Sequence, residues 1–260
     1  MWLRAQHHPQ AAARASGTGL SGGLFLAEGE LVLGELLRSR HEVVSVLVAS
    51  NKIERVSPLL AGLRPETPVF VGSPGMIERI VGYDLHRGVL GCGRACPPPP
   101  LSDVLRGAKM LVVLENLANH DNVGGVFRCV RAMAGKAGAV LLTRGCCDPL
   151  YRRALRVSIG HALHVPWTWL EDWPGDLDRI AGAGFEVLAL APGAKAEEIG
   201  RIARPQRFCL LAGAEGPGLS RSALKRAGRV VRIGMDAAVD SLNVTVSVGV
   251  ALHALRPAVE

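Results

Sequence analysis

The chain has 260 residues, enough for one or two domains with buried cores, and its 48% hydrophobic and 20% charged residues exclude a disordered polymer. No stretch of about 18 uncharged apolar residues occurs, which excludes an ordinary transmembrane helix. The first thirty residues lack the apolar core of a secretory leader, so a soluble, cytoplasmic protein is expected. Thirty Lys and Arg against 23 Asp and Glu give +7, which makes a polyanion a partner to test. With 5 Phe, 4 Trp and 2 Tyr, base stacking on an aromatic sheet is not the expected mode of contact.

Taken in chain order, residues 1–20 show no periodicity and read as a loose arm. Over 21–95 the apolar runs 24–27, 43–49, 68–71 and 88–91 read as strands. Helical spacing of Leu, Ile and Val covers 28–39, 52–63 and 73–81. This predicts a small α/β domain, and residues 1–95 together carry +2. Pro97 to Pro100 offer no amide donors and favour extended chain, so 96–102 reads as a linker, and residues 1–95 are expected to be removable from a folded core. In 103–260 near-continuous apolar runs at 110–114, 139–142, 186–190, 208–212 and 230–233 alternate with helical segments such as 123–134 and 220–226. Strands apolar on both faces imply a parallel sheet covered by helices. Residues 96–260 carry +5, and Arg144, Arg152, Arg153 and Arg156 cluster there as candidate RNA contacts.

The six cysteines form no secreted disulfide pattern, and Cys92-x3-Cys96 lacks a second pair at zinc spacing, so reduced thiols and no metal are expected. A dinucleotide fingerprint fails because Gly182-Ala183-Gly184 precedes a strand and lacks a third glycine. In Gly213-Ala214-Glu215-Gly216-Pro217-Gly218-Leu219-Ser220 the spacing mimics a phosphate loop, but Leu219 stands where the lysine must be. The glycines mean either close backbone approach to a ligand or a tight turn alone. Gly19-Leu20-Ser21-Gly22-Gly23 matches a hydrolase elbow with no strand ahead of it.

Two polar constellations remain. Glu115 to Arg128 follows a strand and enters a helix, where Asp121 or Asn122 reads as the cap and Arg128 lies about two turns in, its fork suited to phosphate. Asp240 to Ser247 interrupts an apolar run with Ser241, Asn243 and Thr245, and strand and helix are equally compatible with it.

Together, Asn122-x-Gly124-x3-Arg128, Gly213-x-Glu215-x2-Gly218 and Ile233-x-Met235 followed by Ser241-Leu242-Asn243-Val244 resemble the three motifs of the SpoU (TrmH-like) RNA ribose methyltransferases of the SPOUT superfamily. The N-terminal stretches Phe25 to Gly29 and Leu85 to Leu90 are similar to the substrate-binding domain often fused to them. The resemblance implies a five- or six-stranded parallel sheet with a C-terminal trefoil knot, in which Ser241–Leu255 becomes helical, preceded by a small α/β RNA-binding domain. It implies S-adenosylmethionine as cofactor, RNA as substrate with rRNA ahead of tRNA, methylation of a ribose 2′-hydroxyl, and a homodimer with sites at its interface.

By the same resemblance Asn122, Arg128, Glu215, Ser241 and Asn243 occupy catalytic-centre positions. Leu190, Ala191, Leu211, Gly213, Ile233, Met235 and Leu242 line the cofactor site. Arg128 suits electrostatic duty, because a guanidinium resists deprotonation. Glu215 stays open between orienting Arg128, bonding the cofactor and holding the glycine loop. Gly234 and Asp121 stand where members usually have proline. A non-catalytic RNA-binding or ribosome-assembly protein of the same fold is the alternative.

Overall fold

The computed structural model describes residues 23–82, 85, 87–193, 195–236 and 238–256; the expected N-terminal arm and Gly19 to Gly22 lie outside them. The chain divides into two compact units. The first joins the described residues up to Pro97 with Pro149–His164, and the second joins Pro98–Asp148 with the residues from Val165 onward.

In the first unit the strands are β1 (Leu24–Glu28), β2 (Glu42–Ala49), β3 (Val69–Gly72) and β4 (Val89–Arg94). The helices α1 (Glu30–Leu37), α2 (Ile53–Leu60) and α3 (Pro74–Val81) alternate with them. The sheet order is β1-β4-β2-β3, with β4 antiparallel to β1 and β2, and β2 parallel to β3. Alternation along the strands sends Val46, Val48 and Val89 to one face, against Leu33 of α1 and Val56 of α2. Leu26, Leu90 and Cys92 go to the other, against Ile77 and Val81 of α3. Where a strand over 88–91 was expected, Gly88 turns at φ +64° and the strand runs from Val89 to Arg94, pairing on both sides.

The segment 149–164, expected inside the second domain, belongs to the first unit. Its helix α6 (Arg152–Val157) packs on β1, with Ala154 and Leu155 wholly buried. Arg152 bonds the buried carboxylate of Glu28 at 2.8 Å, and His164 Nε2 lies 2.7 Å from Glu35 on α1. Burying Ala154 and Leu155 and neutralising Glu28 are what bind this piece to the first unit. The expected linker is also shorter: α4 (Leu101–Gly107) starts directly after Pro100.

The second unit holds a sheet of order β7-β6-β5-β10-β8-β11-β9, parallel at every pairing. Its strands are β5 (Met110–Glu115), β6 (Gly138–Leu142), β7 (Trp167–Trp169), β8 (Glu186–Leu190), β9 (Glu197–Glu198), β10 (Phe208–Gly213) and β11 (Arg229–Arg232). Seven strands replace the five or six expected; the additions, β7 and β9, are three- and two-residue edges too short to show a pattern. The helices are α4, α5 (His120–Ala134), α7 (Asp176–Gly182), α8 (Arg221–Arg226) and α9 (Val244–Leu255). Central strands β5, β8 and β10 are buried on both faces, which explains their unbroken apolar composition. No helix among the described residues is long and apolar enough to cross a membrane.

Candidate active site

Parallel strands bring the turns after β5, β10 and β11 to one end of the sheet, where ligands of such folds bind. After β5, Asn119 caps α5 by accepting from Asp121 N at 2.8 Å. Neither Asp121 nor Asn122 is therefore the cap, and the Asn122 amide, 5% exposed in the first turn, is free for other work. After β10 the glycine loop folds back on itself, with Gly218 N donating to Ala214 O at 2.9 Å. A Cβ on Gly213 would sit 2.2 Å from Gly218 C, so residue 213 is glycine because its own loop closes over it. After β11 the chain reaches Asn243, which caps α9 by accepting from Thr245 N at 2.9 Å. The helix begins at Val244, leaving Ser241 and Leu242 outside it.

These turns are joined by side chains. Asn122 Nδ2 donates to Glu215 Oε1 at 2.7 Å, and Asn243 Nδ2 donates to Asn122 Oδ1 at 2.9 Å and to Glu215 Oε1 at 3.2 Å. Thr245 Oγ1 donates to the Asn122 carbonyl at 3.2 Å. The three motifs thus converge on one network, with a carboxylate setting the orientation of both amides. Helix α5 crosses α9 closely at Gly125, where a Cβ would lie 2.6 Å from the Thr245 side chain.

Arg128 and Ser241 are exposed and outside this network. Six residues on from Asn122, Arg128 points about 120° away around the helix axis. Among the described residues it makes no hydrogen bond or ion pair. Glu215 therefore does not orient Arg128; its partners are the two asparagines.

Of the expected cofactor residues, Leu190 and Ala191 end β8, with Ala191 N bonded to Val231 O at 3.0 Å. Leu211 is wholly buried inside β10 and can offer only its backbone. Ile233 follows β11, and Met235 and Leu242 leave 37% and 38% of their surface exposed on the same loop. Apolar side chains left open at the carboxyl ends of parallel strands fit a purine-bearing ligand. A different depression of about 600 Å3, lined by Arg106, Lys109 and Arg207, lies at the amino ends of β5 and β10, and Arg207 is spent there on the carbonyls of Leu105 and Ala183.

The expected arginine cluster is divided between the two units. Arg144, in the second unit, pairs with Glu171 and stands 5.8 Å over the Trp169 ring. Arg152, in the first, is bound to Glu28, and Arg153 has a partner too; Arg156 is exposed.

The sequence reading passed over Glu115. It is 2% exposed, accepts from Ser220 N at 2.8 Å and from Trp173 Nε1, and so ties β5 to the far end of the glycine loop. A carboxylate ending an all-apolar strand was the available signal, since a buried charge must find donors. Burial pushes the Cys129 and Cys146 thiols up and Cys147 to about 12, which leaves them protonated and poor nucleophiles. No group of three metal-ligating side chains gathers among the described residues.

The family model described as the SpoU rRNA Methylase family matches residues 109–253. A tRNA/rRNA methyltransferase of Mycobacterium bovis, itself uncharacterized, is 38% identical over 234 residues, covering 88% of this chain and 80% of its own. One from Synechocystis is 33% identical over 61% of this chain and 55% of its own. In fold, the chain is similar to an AdoMet-bound rRNA methyltransferase from Sinorhizobium meliloti, with a TM-score of 0.79 at 22% identity over 98% of this chain and 92% of that one. It is likewise similar to the SpoU methyltransferase AviRb from Streptomyces viridochromogenes, with a TM-score of 0.79 at 18% identity over 98% and 95%. With its three motif turns locked in one network, and with the family model matching residues 109–253, the chain belongs to the SpoU rRNA methylase family.

Proposed function

We propose that this protein is an S-adenosylmethionine-dependent RNA methyltransferase that modifies a ribose 2′-hydroxyl, with rRNA ahead of tRNA as substrate. The observation that carries this reading is the Asn122–Glu215–Asn243 network, which joins residues 93 and 121 positions apart at the carboxyl ends of the strands. A network that fixes two neutral amides beside one carboxylate suits the orientation of a hydroxyl-bearing sugar. When bound, the cofactor supplies a methyl group already activated on a sulfonium.

The remaining work falls to the chain. Ile233, Met235 and Leu242 cover an apolar ring, and the ends of β8 and β10 offer backbone groups. Asn122, Asn243 and Ser241 supply neutral hydrogen bonds. Arg128 grips a phosphate with its planar fork and stabilises charge developing on the ribose oxygen. Glu215 holds the two amides in register. The connection from β10 to β11 passes β8, a sheet order that supports a knotted chain in this unit.

A homodimer is part of the proposal. Val246 and Val250 lie one turn apart along α9 with 49% and 41% of their surface open, and Leu242, just before the helix, leaves 38% open. Apolar side chains left open on a helix gain from cover, and a second copy presenting the same face gives it. Arg128, unused by its own network, serves the site at that interface. The first unit acts as the RNA-binding adaptor.

The test is methyl transfer from labelled S-adenosylmethionine into RNA, followed by alkaline hydrolysis, which a 2′-O-methyl group blocks at the modified nucleotide. Label in an alkali-sensitive nucleotide would overturn the ribose assignment. RNA binding with no cofactor binding would favour the assembly-protein alternative.

A further inference from the structure

Glu198 closes β9 in register with Arg232 of β11, and Ile199 N donates to Arg232 O at 2.9 Å. Just beyond Arg232 begins the loop carrying Ile233, Met235 and Leu242. The Glu198 carboxylate is anchored by two guanidiniums, with Arg201 Nε 2.7 Å from Oε2 and Arg232 Nη2 3.9 Å from Oε1. Held there, it occupies the space a side chain at Gly234 would take: a Cβ at that position would stand 2.4 Å from Oε1 and 3.4 Å from Cδ. A side chain at 234 would be admitted by turning this flexible carboxylate aside, away from its anchors. Conversely, a glycine without that cover would let the turn sample many conformations, each costing entropy when a ligand fixes one.

We propose that Glu198 is a positioning residue for the cofactor: its carboxylate braces Gly234 and so holds the 233–235 turn in its binding conformation, and residue 234 is glycine to admit it. This rests on the assignment of that loop to S-adenosylmethionine. The brace is a property of the protein alone, so it is measurable with and without ligand.

The experiment compares Glu198→Ala, Gly234→Ala and the double variant in the full-length protein. Amide exchange over residues 233–243 is followed without ligand, and S-adenosylmethionine affinity by calorimetry. Glu198→Ala is expected to speed exchange at 233–236 and weaken binding about tenfold, within the range of contact couplings. Gly234→Ala should do the same by pushing the carboxylate away. The double variant should be no worse than Glu198→Ala, because the new methyl enters space already vacated. Penalties that add, or a Glu198→Ala protein that melts earlier while keeping its exchange and affinity, would overturn the proposal. If the unmutated protein does not bind S-adenosylmethionine, the cofactor assignment fails, and exchange still decides whether the brace exists.

Discussion

Arg128 is the residue whose surroundings say least about stability and most about function. It is exposed and unpaired among the described residues, so its loss should cost no more than about half a kcal/mol of folding stability. Arg128→Ala is expected to keep fold, dimer and cofactor affinity while single-turnover methyl transfer falls about 100-fold or more, as removal of one charge-stabilising donor does. Arg128→Lys should restore little, because a point charge cannot reproduce a planar fork. Near-normal turnover in Arg128→Ala would refute its role and leave the family membership standing.

His41 gives a second residue-scale expectation. Burial pushes its imidazole down to about 4 from 6.5, with Arg40 and His164 adding in the same direction, and Nδ1 accepts from Cys96 N at 3.0 Å. Above pH 6.5 the ring is neutral in folded and unfolded chains alike, and the stability is fully present. Between 6.5 and about 4 only the unfolded chain takes up the proton, so stability falls as pH drops through this window. Urea midpoints from pH 7 to 4.5 should show this fall, and a His41→Gln protein should show a flatter profile. An equal slope in both would exclude His41 as its source.

At the scale of elements, α9 does two things that its sequence could not separate. One face, through Val248, Ala251, Leu252 and Leu255, is buried in its own unit, while Val246 and Val250 are left open. Val246→Lys with Val250→Lys should therefore leave the monomer fold intact and abolish the dimer. Sedimentation or light scattering reads this directly, and a dimer that survives both charges would place the interface elsewhere. The helix itself was ambiguous in sequence because Val244, Val246, Val248 and Val250 favour strands. What decides it is the Asn243 cap and the close packing of α5 against the same helix.

At the scale of the molecule, the chain enters the first unit twice. The proline-rich passage was legible because four prolines declare themselves; the return through 149–164 was not. Removing residues 1–95 would strip cover from Ala154, Leu155, Ala162 and Leu163 and leave Arg152 without Glu28. The simple truncation is thus expected to aggregate, contrary to the sequence expectation of a clean core. A version that also replaces 149–164 by a flexible Gly-Ser segment should stay monodisperse on gel filtration and keep a cooperative melt. A simple truncation that is soluble and cooperative would show that 149–164 needs no partner.

The sequence by itself determined the class of fold and the alternation of elements, while the grouping of Asn122, Glu215 and Asn243 came from the resemblance of three motifs to a known family. Fold class and alternation follow from local pattern: apolar runs set which strands are buried on both faces, and glycine and polar spacing marks turns at strand ends. Only the tertiary structure decided that Asn119 is the cap, that Glu215 bonds two asparagines rather than Arg128, that Glu115 is a buried tie, and that 149–164 belongs to the first unit. Each of these depends on which side chain arrives from roughly a hundred residues away, or on which of several equivalent polar neighbours the backbone turns inward. Periodicity carries no information about either, because it records how each segment buries its own face and not what it is buried against.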